Sequence, residues 1–142
     1  MSEINYDKFE NSLKRLEERY KYYQKNKNNI SNDIDFIESV RESCIQRFEI
    51  CLDTAWKHIK KYLEDELGRS DLLNSPNPIF KEAFANKLIE DAEIWIEFNE
   101  KRRNSSHDYS GQKAENTFEI IDDFIAEAIE IYQKMTGQKW QS

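Results

Sequence analysis

Apolar residues recur every three or four positions along the first part of the chain. The members of this stripe, spaced 3, 4, 3, 4 and 3 positions apart, are Tyr6, Phe9, Leu13, Leu16, Tyr20 and Tyr23. In an α-helix, residues at this spacing lie on one side. The pattern therefore predicts a first helix from about Asn5 to Lys25.

The same period returns after the polar stretch NKNNISND and predicts a much longer second helix. Its apolar stripe runs from Ile37 to Tyr62, and the helix is expected to end before Gly68. Asn32 or Asp33 can cap its start, because a short polar side chain can accept a hydrogen bond from the first turn.

Proline and glycine positions mark three further helices. In NSPNPIFKEAF, Asn77 is predicted to cap a short helix with Pro78 at its first position, where the missing N–H costs nothing. A fourth helix is predicted to start near Asp91, and a fifth to run from about Ala114 to Met135 before Gly137. The residues expected to face inward are Phe80, Phe84, Leu88, Ile94, Trp95, Phe98, Phe118, Ile121, Ile125, Ala128 and Tyr132.

Composition supports an all-α fold, because three glycines and two prolines provide few turns for a β fold. We expect one domain over residues 1–142, an up-and-down four-helix bundle with a short additional helix, with its core at about 6–135 and QKWQS as a tail. No stretch approaches the ~18 apolar residues of a membrane span, and the start lacks the apolar core of a signal peptide. A cytoplasmic protein without membrane contact is therefore expected.

Two tryptophans and both cysteines fall on the predicted apolar stripes. Trp56 and Trp95 are expected in the core rather than as platforms for stacked bases. Cys44 and Cys51 are seven residues apart on one helix, about 10 Å of rise, which is too far for a disulfide. Two small buried side chains are the favoured interpretation.

The net charge of −7 argues against a protein that coats nucleic acid, but the charge is uneven. Six acidic residues and no basic residue lie between Ala114 and Ile131, as is typical of a solvated helix face or, less often, of a docking face for a basic partner. The run WKHIKK contains Lys57, Lys60 and Lys61. These lysines are either another solvated face or a local contact for the phosphates of a nucleic acid.

The segment KRRNSSHDYSG, from Lys101 to Gly111, concentrates groups that handle phosphate and protons. Arginine presents a fixed fork of donors to phosphate, and histidine titrates near neutral pH. On a straight helix, Arg102 and His107 would be about 140° apart, so they can face one target only if the helix ends between them. The intervening NSS favours such an end. The alternative is a basic helix C-terminus followed by an ordinary loop histidine.

Other chemistry has no motif in this chain. A metal site is not predicted, because His58 and His107 are assigned to different helices and neither cysteine has a ligand at zinc-finger spacing. The sequence also has no glycine-rich phosphate loop and no nucleophile-elbow or metalloprotease motif.

The stretch RRNSSHDY resembles the RxxxxHxY motif of the HEPN superfamily, in its branch of nucleotidyltransferase substrate-binding proteins. RFEICLDTAWKHIKKYL is similar to the helix-two signature of that branch, an aromatic-acidic pair followed by Trp-Lys. SPNPIFKEAFANKLIEDAEIWIEFNEKR resembles its Ser-Pro, its short helix and the tryptophan before the motif. The resemblance covers roughly Tyr6 to Met135.

One position departs from the family pattern. Many members have asparagine directly after the motif arginine, whereas this chain has Arg103 there and Asn104 one residue later. Either Arg102 or Arg103 could therefore face the site. The five-residue step to His107 favours Arg102.

The resemblance implies a homodimer that is encoded with a small nucleotidyltransferase. In one role such a protein is a metal-independent RNase toxin with Arg102 and His107 as catalytic residues. The partner is then the antitoxin, which transfers AMP from ATP to Tyr109, and the chain itself needs no cofactor. The residues expected to support the site are Arg103, Asn104, Ser106 and Asp108.

The resemblance also carries a second role, in which the chain is a non-catalytic subunit that binds substrate for the transferase. A helical scaffold without nucleotide chemistry is a third alternative. In the toxin role, Tyr109 must be exposed to be modified, whereas the tyrosines on apolar stripes should be at least partly buried. Those stripe tyrosines are Tyr6, Tyr20, Tyr23, Tyr62 and Tyr132.

Overall fold

The computed structural model describes residues 4–29, 33–105 and 111–142. Within these residues the secondary structure is entirely helical, which confirms the all-α prediction. The helices are α1 (Asp7–Asn26), α2 (Ile34–Asp65), α3 (Pro76–Ala85), α4 (Ala92–Ser105), α5 (Gly111–Glu119) and α6 (Ile121–Thr136).

The four long segments alternate in direction around one core. The carbonyl of Asn5 contacts His58 and the ring of Tyr22 contacts Phe36, so α1 and α2 are antiparallel. Phe9 packs on Tyr132 while Tyr20 packs on Phe118, so the α5–α6 segment also runs opposite to α1. Thr117 of α5 bonds to the carbonyl of Lys101, while Trp95, earlier in α4, packs on Phe124 of α6, so α4 runs opposite to the α5–α6 segment. The bundle is therefore up-and-down, with α3 as the short addition.

Aromatic rings form the centre of the core. Trp95 and Phe98 of α4 meet Phe124 of α6 with centroid distances of 5.8 and 5.3 Å and nearly perpendicular planes. Phe48 of α2 approaches the same phenylalanine at 5.0 Å, and Phe80 of α3 approaches Trp95 at 5.3 Å. The three pairs with Phe124 are edge-to-face, and such pairs each add about 1 kcal/mol beyond the burial of their area. These contacts connect four helices through two residues.

The predicted fifth helix is divided in two. Glu119 is the last residue of α5 and α6 begins at Ile121, with Ile120 between them. At the break the Ile120 N–H bonds to the Thr117 carbonyl, three residues back rather than four, which is 3₁₀ geometry. Of the inward residues predicted for this segment, four are buried and Phe118 is half-buried.

The start of α3 differs from the prediction. Ser75, not Asn77, precedes the helix, and Pro76, not Pro78, is its first residue. Ser75 has an extended backbone, which suits the residue before a proline, and the fixed φ of Pro76 suits the first helical turn.

The end of α3 corrects a second prediction. Phe84 was expected inside and is 51% exposed. The helix ends at Ala85, and Lys87 has a positive φ of 63°, so the chain turns there. Leu88 is buried as predicted, although it lies beyond the helix.

The prediction of a C-terminal tail is wrong. Gly137 does end α6, in the left-handed conformation, but the chain then folds back over the bundle. Trp140 is 8% exposed, and its ring lies 5.2 Å from that of Tyr132. Its Nε1 donates to Glu17 of α1 at 3.3 Å. The large apolar area of an indole favours this burial over exposure.

Several smaller predictions are confirmed. Asp33 caps α2, accepting from the Phe36 N–H at 2.7 Å. Cys44 and Cys51 are unpaired thiols in the interior, and burial raises the pKa of each to about 12. The five stripe tyrosines are half-buried or buried. Trp56 and Trp95 are also buried.

Across the described ranges, none of the helices combines the length and the apolar character that a membrane crossing requires.

Candidate functional site

Helix α4 carries the candidate site at its C-terminal end. Trp95, Phe98 and Asn99 in its middle are buried, whereas Arg103 and Asn104 in its last turn are more open to solvent. The helix therefore passes from the core to the surface just before the motif histidine in the chain.

Arg102 lies in a surface depression of about 450 Å³ between α4 and α2. The α2 residues that line this depression are Gln46, Glu49, Ile50, Asp53 and Thr54. The arginine is only partly exposed, and two of the α2 residues that line the depression carry carboxylates. The arrangement places a donor for phosphate beside groups that can orient it.

Arg103 points to a different part of the surface. It lines a depression of about 410 Å³ together with Asn77, Ile96, Glu100 and Asn104. Consecutive helical residues are about 100° apart around the axis, which accounts for the separation of the two arginines. Of the two, only Arg102 lines the depression on α2. Its assignment as the catalytic arginine nevertheless stays a prediction.

Four of the predicted site residues lie outside the described residues. They are Ser106, His107, Asp108 and Tyr109. The exposure predicted for Tyr109 therefore also stays a prediction. The described flanks of this segment are the end of α4 and Gly111, the first residue of α5, which has a positive φ of 75°.

A buried threonine ties the two flanking helices together. The Thr117 Oγ1 lies 3.1 Å from the carbonyl of Lys101 in α4 and 3.0 Å from that of Lys113 in α5. Thr117 has no exposed surface. This contact fixes the last turn of α4 against α5.

The polar wall of α2 and the pairing of a buried amide, that of Asn99, were not predicted from the sequence. The wall residues follow helical spacing at 46, 49, 50, 53 and 54, so a polar stripe beside the apolar one was the available signal. Asn99 is buried within α4, and its Nδ2 donates to Asn77 Oδ1 of α3 at 3.1 Å. The position of Asn99 directly after Phe98, which lies on the apolar stripe of α4, was a weaker signal for this hydrogen bond.

The second histidine of the chain has a structural position. His58 is buried, with Nδ1 2.8 Å from the Thr54 carbonyl and Nε2 3.1 Å from the Asn5 carbonyl. Tyr6 and Phe9 contact its ring. The side chain thus joins the segment before α1 to α2. Among the described residues, no cluster of three histidine, cysteine or acidic side chains could hold a metal ion.

The comparison with curated proteins gives one relative in Haemophilus influenzae. The relative is named "Probable ribonuclease HepT", and it is 30% identical to the present chain over 86 residues. The alignment spans 59% of this chain and 59% of that protein.

Solved structures share the fold. The Haemophilus influenzae protein HI0074, described as a substrate binding domain of a nucleotidyltransferase, superposes with a TM-score of 0.82 at 22% identity, covering 92% of this chain and 98% of that one. A protein of Thermus thermophilus superposes with a TM-score of 0.66 at 20% identity, covering 85% of this chain and 98% of that one.

The family model described as "Nucleotidyltransferase substrate binding protein like" matches residues 4–137, which contain all of α1 to α6 and the motif segment. The match agrees with the motif, with its order along the chain and with the helical fold. The chain therefore belongs to the nucleotidyltransferase substrate-binding protein-like family, within the HEPN superfamily.

Proposed function

We propose that this protein is a metal-independent endoribonuclease and the toxin of a toxin–antitoxin pair. The observation that carries the proposal is the position of Arg102, half-buried against the polar wall of α2 and five residues before His107 in the chain. The name of the Haemophilus influenzae relative, a probable ribonuclease, supports the same activity.

The reaction begins at the 2′-hydroxyl of RNA. One imidazole takes the hydroxyl proton, the oxygen attacks the adjacent phosphorus, and an imidazolium protonates the departing 5′-oxygen. The products are a 2′,3′-cyclic phosphate and a free 5′-hydroxyl. A guanidinium such as that of Arg102 stabilises the charge of the pentacoordinate phosphorane.

The two proton transfers require two imidazoles, and the motif supplies one histidine per chain. A two-fold dimer that joins both Arg102 and His107 pairs at its axis would supply an acid, a base and two guanidinium groups. Ile50 is 52% exposed and lines the same depression as Arg102.

Regulation is proposed to act through Tyr109. A minimal nucleotidyltransferase partner, using ATP, would transfer AMP to the phenol and place a phosphodiester two residues from His107. The negative charge would compete with the RNA phosphate for Arg102. The description of the family supports a nucleotidyltransferase as the partner.

A second candidate function is a non-catalytic subunit that presents substrate to the transferase. The description of HI0074 as a substrate binding domain favours this alternative. This function needs the same partner but no cleavage of RNA by the chain. RNA cleavage is therefore the measurable property that distinguishes the two functions.

Expression without the partner separates the two candidates. We expect the unmodified chain to arrest growth and His107→Ala to be harmless at equal protein level. In vitro, the purified chain should cleave RNA in EDTA and leave 2′,3′-cyclic phosphate ends. Harmless expression together with intact RNA would favour the substrate-binding subunit.

Incubation with the partner and ATP tests regulation. Mass spectrometry of the tryptic peptide that contains Tyr109 should show added AMP, and Tyr109→Phe should remain active and resist the partner. An unmodified peptide beside a partner that is active on another acceptor would contradict this regulation.

A further inference from the structure

A second, basic groove lies beside the depression that Arg102 lines. Lys8 of α1 and Lys57, Lys60 and Lys61 of α2 line a groove of about 470 Å³. Asp53 and Glu64 are its acidic residues. The described lining thus has an excess of two positive charges in a chain whose net charge is −7.

The carboxylates of this lysine groove are already paired within α2. Lys57 Nζ lies 2.9 Å from Asp53 Oδ2, and Lys60 Nζ lies 3.3 Å from Glu64 Oε2. Asp53 also accepts from Trp56 Nε1 at 3.2 Å. In the part of the chain that the structure describes, Lys8 and Lys61 have no carboxylate partner within 4.0 Å, and both are exposed.

The lysine groove adjoins the candidate site. Asp53 and Thr54 line both it and the depression that contains Arg102. From Asp53 to Lys61 the rise along α2 is about 12 Å. A strand of a few nucleotides can therefore reach from the depression that Arg102 lines to Lys61 in the lysine groove. No Phe, Tyr or Trp is among the described lining residues, so the groove offers charge rather than stacking surfaces.

We propose that the lysine groove binds the sugar–phosphate backbone of single-stranded RNA on one side of the cleaved bond, with Lys8 and Lys61 as the phosphate contacts. This inference rests on the proposed ribonuclease function. Contacts to phosphate fix the position of the strand and carry no sequence information. The groove therefore adds affinity and register, and Arg102 and His107 keep the chemistry.

The test compares two double variants with equal changes of charge. Lys8→Gln with Lys61→Gln removes the groove contacts, and Lys25→Gln with Lys27→Gln removes two lysines at the other end of α1, about 25 Å away along the helix. Binding to a labelled single-stranded RNA is measured in the His107→Ala background, which prevents cleavage. The dissociation constant is determined at several salt concentrations.

We expect the groove variant to bind about ten-fold more weakly near 0.1 M salt, and the slope of log affinity against log salt to fall by about 1.4. The control variant should stay within about two-fold, and Lys8→Arg with Lys61→Arg should keep the affinity. Equal affinities and slopes for the groove and control variants would contradict RNA binding in the lysine groove. That result would not contradict the proposed ribonuclease function. If the unmodified chain neither binds nor cleaves RNA, both proposals fail.

Cleavage of RNAs of different length gives a second readout with active protein. For a long RNA, the groove variant should show a raised KM and a kcat within about two-fold of the unmodified chain. A dinucleotide has a single phosphodiester, the one that is cleaved, so it offers no further phosphate to the lysine groove and its cleavage should not change. An equal loss on both substrates would show that the lysines act on the site itself and would overturn the groove.

Discussion

The middle of α4 and its last turn form one continuous helix with opposite surroundings. Trp95 has no exposed surface and Phe98 is 1% exposed, whereas Arg103 in the last turn is exposed. The buried part fixes the position and rotation of the helix, and the last turn presents arginines to the surface at that rotation. The comparison separates residues that hold the site from residues that would act in it, and each group should respond to a different measurement.

The largest effect is expected from the buried part. Trp95→Ala should lower the free energy of unfolding by about 3–5 kcal/mol, because it leaves a cavity among Phe80, Phe98 and Phe124. Urea denaturation followed by circular dichroism measures the loss. Phe84→Ala, at an exposed position, is the control and should change stability by less than about 0.5 kcal/mol. Similar losses for both variants would contradict the assigned core.

The exposed end should affect catalysis instead. Arg102→Ala is expected to lower the rate of RNA cleavage by about 10²–10³-fold, since it removes the cation from the depression on α2. Arg103→Ala should lower it by less than about ten-fold, because its side chain lines another depression. Both variants should unfold like the unmodified chain. The reverse order of activities would assign the motif arginine to position 103.

A smaller effect is expected where the two parts of α4 meet. Asn99→Ala leaves Asn77 without its amide donor and should cost about 1–2 kcal/mol of stability. The double variant with Asn77→Ala should cost less than the sum of the two single changes. Full additivity, measured by urea denaturation, would show that this hydrogen bond does not stabilise the fold.

The smallest effect concerns the contact between α4 and α5. Thr117→Val keeps the shape of the side chain and removes the hydroxyl that contacts the Lys101 carbonyl, so stability should fall by about 1 kcal/mol. Thermal unfolding gives the change, with Thr54→Val on α2, whose hydroxyl donates to the Ile50 carbonyl of its own helix, as a control. Equal melting temperatures for the two variants would show that the contact between Thr117 and the Lys101 carbonyl does not stabilise the packing of α4 on α5.

The apolar period predicted most of the fold because burial of one stripe dominates the energy of a bundle helix. It could not predict the direction of the chain after a helix ends. Lys87 has a positive φ, and Trp140 contacts α1. Both positions depend on turns that are stabilised by contacts between distant parts of the chain. Asn77 and Ser75 both looked like caps before a proline, and only packing distinguishes them.

The candidate site was predictable as a motif but not as a surface. The spacing of RRNSSHDY favoured Arg102 over Arg103, and the structure places the two side chains at different depressions. The wall that receives Arg102 comes from α2, about fifty residues earlier in the chain. Contacts between such distant segments are set by how the helices pack, which a local pattern does not contain.

Trp56 gives this molecule an optical signal at a useful place. Its Nε1 bonds to Asp53, and Lys57 Nζ lies 5.9 Å from its ring, so two residues of the lysine groove contact one indole. Indole emission changes when nearby charges move. With Trp95 and Trp140 replaced by phenylalanine, a titration with RNA should change the remaining fluorescence at the concentration that fills the lysine groove, without any attached dye.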